Sequence, residues 1–65
     1  MYSDRPLSID HAVVGENVIA NKPESVMHNR LGEIWKVKPD GERLKISVSF
    51  DGEIYNFYRE ELLLA

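Results

Sequence analysis

The chain has 65 residues, 43% hydrophobic and 29% charged, with no cysteine and a formal net charge of −3. That is one small domain, and it excludes a disulfide staple, a thiolate metal site and a cysteine nucleophile. The 11 acidic against 8 basic residues argue against a phosphate-binding surface spread over the whole sequence. A chain this short buries only about 60% of its unfolded surface, so its core must be efficient or shared with a partner. Met1 to Pro6 has no apolar stretch or small-residue cleavage site, so no signal peptide is expected. No apolar run approaches the roughly 20 residues that span a bilayer. The expectation is a cytoplasmic protein with no membrane partner.

Residues 1–12 are polar, with Leu7 and Ile9 scattered among them. Pro6 removes a backbone donor and holds Arg5 extended. This reads as a flexible N-terminal arm, frayed as termini usually are, unless Leu7 or Ile9 packs on the body. Residues 13–65 form the body. Glu16 to Asn21 is a short apolar stretch bounded by Gly15 and Pro23, and reads as a first strand. Lys22 to Arg30 has no sustained period and reads as a long loop. Leu31 to Lys38 reads as a second strand that stops at Pro39, with a β-turn over Pro39-Asp40-Gly41-Glu42.

Arg43 to Phe50 alternates cleanly: Leu44, Ile46, Val48 and Phe50 face one way, Lys45, Ser47 and Ser49 the other. Asp51-Gly52 suits a two-residue hairpin turn with positive φ. Glu53 to Tyr58 follows as a fourth strand. Arg59-Glu60-Glu61 reads as one tight helical turn, and Leu62-Leu63-Leu64 as a short fifth strand or plug. Five short strands in about fifty residues predict an all-β fold, a small barrel closed to remove its edges.

The spacing Val14-Gly15-Glu16-Asn17-Val18-Ile19-Ala20, then Leu31-Gly32-Glu33-Ile34 with Val37, then Ile46 to Gly52, then Phe57 and Glu61-Leu62 resembles the SH3-like barrel superfamily. The nearest styles are KOW- and Tudor-type barrels and those of electron-transport accessory proteins, such as the variable chain of ferredoxin–thioredoxin reductase and the nitrile hydratase β-subunit. The resemblance covers Val14 to Leu64 and implies a five-stranded SH3-like barrel. It says little of function, because this barrel serves many unrelated tasks. It implies that Val18, Ala20, Ile46, Val48, Phe50, Phe57, Leu62 and Leu64 fill the interior. Strict alternation cannot bury both Ile34 and Val37. A bulge between them would; without it, Trp35 and Val37 point in and Ile34 out.

No catalytic constellation is visible. His11 and His28 have no cysteine partners and no zinc-motif spacing, and read as solvated loop histidines, so zinc should not raise the melting temperature. Ser3, Ser8, Ser25, Ser47 and Ser49 sit in no nucleophile elbow, and Glu60 with Glu61 reads as a solvated cap. The four glycines are dispersed and make no phosphate loop. One enzyme is built on this barrel, the type II dihydrofolate reductase, but its Val-Gln-Ile-Tyr segment is replaced here by Ile54-Tyr55-Asn56-Phe57. The expectation is a protein that is not an enzyme and uses no cofactor or metal.

Two binding readings follow. If Tyr55 and Phe57 point inward, Ile54 and Tyr58 point outward, and with a bulge Trp35 joins them as an apolar patch suited to a protein partner. Alternatively the patch closes under Leu7 or Ile9. The leading function is therefore a small accessory or regulatory binding module, with self-association through the arm as a further route. The alternative is a KOW-like nucleic-acid-binding barrel using Lys36, Lys38, Arg43 and Lys45, in the one stretch, residues 31–50, whose charge is positive. The bland reading of those cations is strand-face lysines that keep the sheet soluble. Methyl-lysine caging and polyproline recognition are not expected: the first long loop holds no aromatic residue and the Ala-Leu-Tyr-Asp-Tyr motif is absent.

Overall fold

The computed structural model describes residues 6–65; residues 1–5, with Tyr2, Ser3 and the first part of the arm, lie outside what is described. The described chain runs η1 (Ile9–His11), β1 (Asn17–Ala20), β2 (Leu31–Asp40), β3 (Arg43–Phe50), β4 (Glu53–Tyr58), η2 (Arg59–Glu61) and β5 (Leu62–Leu64). All five strands are antiparallel in one sheet, in the order β4-β3-β2-β1-β5; β4 and β5 end that order without pairing to each other, so the closure expected from the sequence is not seen and the sheet keeps edges. Among the described residues no helix is long and apolar enough to cross a membrane.

Local chemistry explains the corners. Asp51 and Gly52 both take positive φ, 54° and 91°, the mirror-image turn whose twist matches the flanking strands. At the other hairpin β2 runs on through Pro39 and Asp40, which pair with Leu44 and Arg43. The expected stop at Pro39 is therefore corrected. Beyond residues 31–33 β2 has no partner in β1, so the missing proline N–H costs no ladder bond.

The core gathers on one side of the sheet. Val18 and Ala20 of β1, Ile34 of β2, Ile46, Val48 and Phe50 of β3, Phe57 of β4 and Leu62 of β5 are buried there. Phe50 meets Tyr55 and Phe57 edge-on, at 5.9 and 6.0 Å between ring centroids. Leu64 is half-buried at the margin and Leu63 is buried as well. Gly32 is buried under side chains of the neighbouring strand: a Cβ there would sit 2.6 Å from Val48 Cγ1 and 2.8 Å from Phe50 Cε1.

The arm departs from the sequence reading. Leu7 is wholly buried, and its N–H donates to the Leu62 carbonyl at 2.8 Å. Its own carbonyl accepts from Arg59 Nη1 at 2.6 Å, and Pro6 bridges to Leu63. Ala12 and the loop residue Met27 are buried too. The flexible arm over residues 1–12 is therefore corrected for Pro6 to Ala12: one leucine is a plug for the core. Ile9 stays exposed.

Candidate binding face

The side of β2–β4 away from the core carries the residues of interest, and the register arranges them in rows. Lys38 of β2 lies opposite Lys45 of β3, which lies opposite Tyr58 of β4. The next row is Lys36, Ser47 and Asn56, and the next Glu33, Ser49 and Ile54. Asp40 and Arg43 form the row at the hairpin end.

Trp35 is the extra residue of a β-bulge, because the register slips between Ile34 and Lys36. Ile34 is thus buried and Val37 packs against the core, while Trp35 is turned outward and 59% exposed. The bulge resolves the alternation conflict in the sequence in favour of an outward tryptophan.

Trp35, Ile54 and Tyr58 all stand on this face, yet they do not merge. Ile54 is 44% exposed and lies two strands from Trp35, roughly 10 Å across the sheet, with Ser47 and Ser49 between. Tyr58 is four positions along β4 from Ile54, and the Ser47 hydroxyl donating to Asn56 Oδ1 at 2.7 Å marks the ground between. Tyr58 is also engaged. Its hydroxyl donates to Asp40 Oδ2 at 3.0 Å, and the Arg43 guanidinium covers its ring at 3.5 Å. The bond to Asp40, which needs the phenol protonated, raises the Tyr58 pKa above its ordinary value.

All four cations of the hairpin also project from this face. Arg43 is spent on structure: Nε donates to Glu60 Oε1 at 2.9 Å, and Nη2 contacts the same oxygen. Lys36, Lys38 and Lys45 are in no ion pair among the described residues. Lys38 and Lys45 are like charges placed directly opposite each other, an arrangement that destabilises a sheet unless an anion answers it.

The two histidines differ: His11 is exposed as expected, and His28 is not. His28 is half-buried, and its Nδ1 accepts the Lys22 backbone N–H at 3.0 Å, which pins the first loop. It is not a solvated side chain. His11 Nδ1 lies 3.0 Å from Glu16 Oε2, and that hydrogen bond lowers the Glu16 pKa. The described residues hold no cavity and no group of three potential ligands around a metal position. Sequence reasoning missed Met27, named Leu7 only as one of two residues that could pack on the body, and read His28 as solvated; all three roles are set by contacts distant in the chain. Compared with known proteins, the chain matches no family model, no curated protein and no solved structure.

Proposed function

We propose that this chain is a non-enzymatic SH3-like binding module that docks onto a partner protein, as an accessory or regulatory subunit, through the outer face of β2–β4. The fold reading draws support from the β1–β4 meander, from β5 returning beside β1 after a single 3-10 turn, and from the bulge in the long β2. The observation that carries the functional reading is Trp35. A bulge holds the one tryptophan outward instead of in a core that needs apolar volume, and exposed tryptophan is the residue type most enriched in interface anchors. Ile54 adds apolar area on the same face. Tyr58 serves as a braced edge of the site rather than a free anchor. Lys36, Lys38 and Lys45, in no ion pair among the described residues, select a partner that brings carboxylates around a hydrophobic pocket.

The test is affinity capture followed by titration of the captured protein, read through Trp35 fluorescence. Trp35→Ala should abolish retention while circular dichroism is unchanged, and Ile54→Ala should weaken it. Full retention by folded Trp35→Ala would remove the reading.

A second reading is favoured by one observation, the Lys38–Lys45 pair, in no ion pair among the described residues, beside Lys36 and an aromatic residue. Single-stranded nucleic acid would satisfy it, with phosphates on the lysines and a base stacked on Trp35. That mode predicts affinity falling with log salt by a slope of about −0.7 per phosphate contact. No binding at low salt would eliminate it.

A further inference from the structure

A sheet that is not continuous around its circumference has edges, and an edge is a row of backbone donors and acceptors without partners. Three stretches of this sheet are candidates. The outer edge of β5 is occupied at Leu62 and Leu63, since Leu7 N–H bonds to the Leu62 carbonyl and Pro6 bridges to Leu63. The edge of β2 beyond its pairing with β1 carries the Trp35 bulge, Lys36, Lys38 and Pro39. Bulge, lysine and proline are the devices that keep a strand edge from pairing. The outer edge of β4 has none of them. Its segment Glu53-Ile54-Tyr55-Asn56-Phe57-Tyr58 is rich in strand formers, with one charge and neither proline nor glycine.

The register identifies which groups are free. The Asp51-Gly52 turn makes Phe50 and Glu53 the first hydrogen-bonded pair, so Tyr55 and Phe57 also bond β3. Ile54, Asn56 and Tyr58 turn their N–H and C=O groups away from it. Tyr58 N–H is satisfied by Glu61 Oε1 at 2.9 Å, which ends the row. Among the described residues no backbone hydrogen bond outside the strands reaches Ile54 or Asn56.

We propose that two copies of this chain pair through β4, antiparallel about a two-fold axis beside Tyr55, with Ile54 of each copy opposite Asn56 of the other. Two features select a second copy over a foreign strand. The free row is centred on one residue, so it is self-complementary: Ile54 meets Asn56 and Asn56 meets Ile54, each pair exchanging both backbone bonds. The residue on the axis is Tyr55, a half-buried aromatic at the rim of the core whose ring meets Phe50 edge-on. Pairing sets the two Tyr55 rings side by side and extends the aromatic cluster across the junction. The Glu53 carboxylates fall at opposite ends, away from each other. Because the pairing is two-fold and uses the same edge of both copies, the assembly closes at two copies rather than growing into a fibre.

The experiment is light scattering on the full chain over a dilution series, with amide hydrogen exchange on the same samples. A dimer is expected at high concentration, and the Ile54 and Asn56 amides should be protected only where the dimer is populated. Asn56→Pro and Ile54→Pro each delete an outward N–H without touching the β3 ladder, and should give folded monomers. Asn56→Ala removes the bond to Ser47 but keeps the N–H, and should remain dimeric. A single-chain mass at every concentration, an open-ended assembly, or a dimer in which both amides exchange freely would overturn the proposal. The exchange measurement uses the wild-type chain, so it decides the matter even where a proline variant fails to fold. Trp35→Ala should leave the dimer intact, which separates this edge from the docking face.

Discussion

The Arg43 guanidinium lies 3.5 Å above the Tyr58 ring centroid while the Tyr58 hydroxyl donates to Asp40. One tyrosine thereby ties the far end of the β2–β3 hairpin to the end of β4, and Glu60 in η2 holds the arginine from the other side. These groups are exposed, so their cooperation should be visible in salt and pH dependence more than in overall stability.

Glu60 has a pKa below its ordinary 4.5, first through its own backbone N–H and then through Arg43. A depressed carboxylate contributes stability that is fully present above about pH 4.5 and is lost as pH falls through the lower folded-state value. Tyr58 is the opposite case. Its pKa is raised above 10.0, so its contribution is present below that pH and is lost as pH rises through the higher folded-state value. Thermal midpoints measured against pH should lose part of their acid limb in Glu60→Gln and part of their alkaline limb in Tyr58→Phe. Unchanged limbs in both variants would show that these bonds do not persist in solution.

Leu7 should matter more than its place in the sequence suggests. Leu7→Ala empties a fully buried site and should cost about 2–5 kcal/mol, most of the 3–5 kcal/mol that an unstapled core of this size supplies. Ile9→Ala, two residues on and exposed, should change stability by less than about 0.5 kcal/mol. Urea unfolding of the two variants measures the contrast, and similar midpoints would place Leu7 outside the core.

Gly32→Ala should be as damaging as a larger change elsewhere. Its Cβ meets Val48 Cγ1 and the Phe50 ring well inside contact distance. Both neighbours are packed core side chains, so the expected cost is about 1–3 kcal/mol of overpacking, read from the thermal midpoint. A neutral outcome would mean that the Val48 and Phe50 side chains do not pack over Gly32 as described.

Deleting Trp35 should be tolerated. Without it the strand reads Ile34 in, Lys36 out, Val37 in, which is strict alternation on the existing register. Deleting Ser47 from β3 instead turns half of that strand inside out and should abolish folding. Circular dichroism with a cooperative melt distinguishes the two; an unfolded Trp35 deletion would mean that the bulge itself is required.

Much of this architecture was legible in the residues. The alternation of Arg43 to Phe50, the Asp51-Gly52 turn and the Arg59 to Glu61 break all mark elements at their observed bounds. Local pattern suffices there because each strand has one wet face and one dry one. The arm was not legible, because a single leucine among polar residues carries no period; only the position of Leu62 decides that Leu7 is buried. Trp35 was undecidable for a related reason, since a bulge is a relation between two strands rather than a property of one. The candidate face was half legible. Period two indicates which residues share a face, but it does not foretell that Arg43 is committed to Tyr58 and Glu60.

The pairing of β5 with β1 and with the segment around Leu7 has a consequence for biosynthesis. Leu62 to Leu64 are made long after the strand and the arm they join. Until they leave the ribosome, Val18, Ala20 and Leu7 have no lid, and the nascent chain must carry that greasy surface unsheltered while it waits.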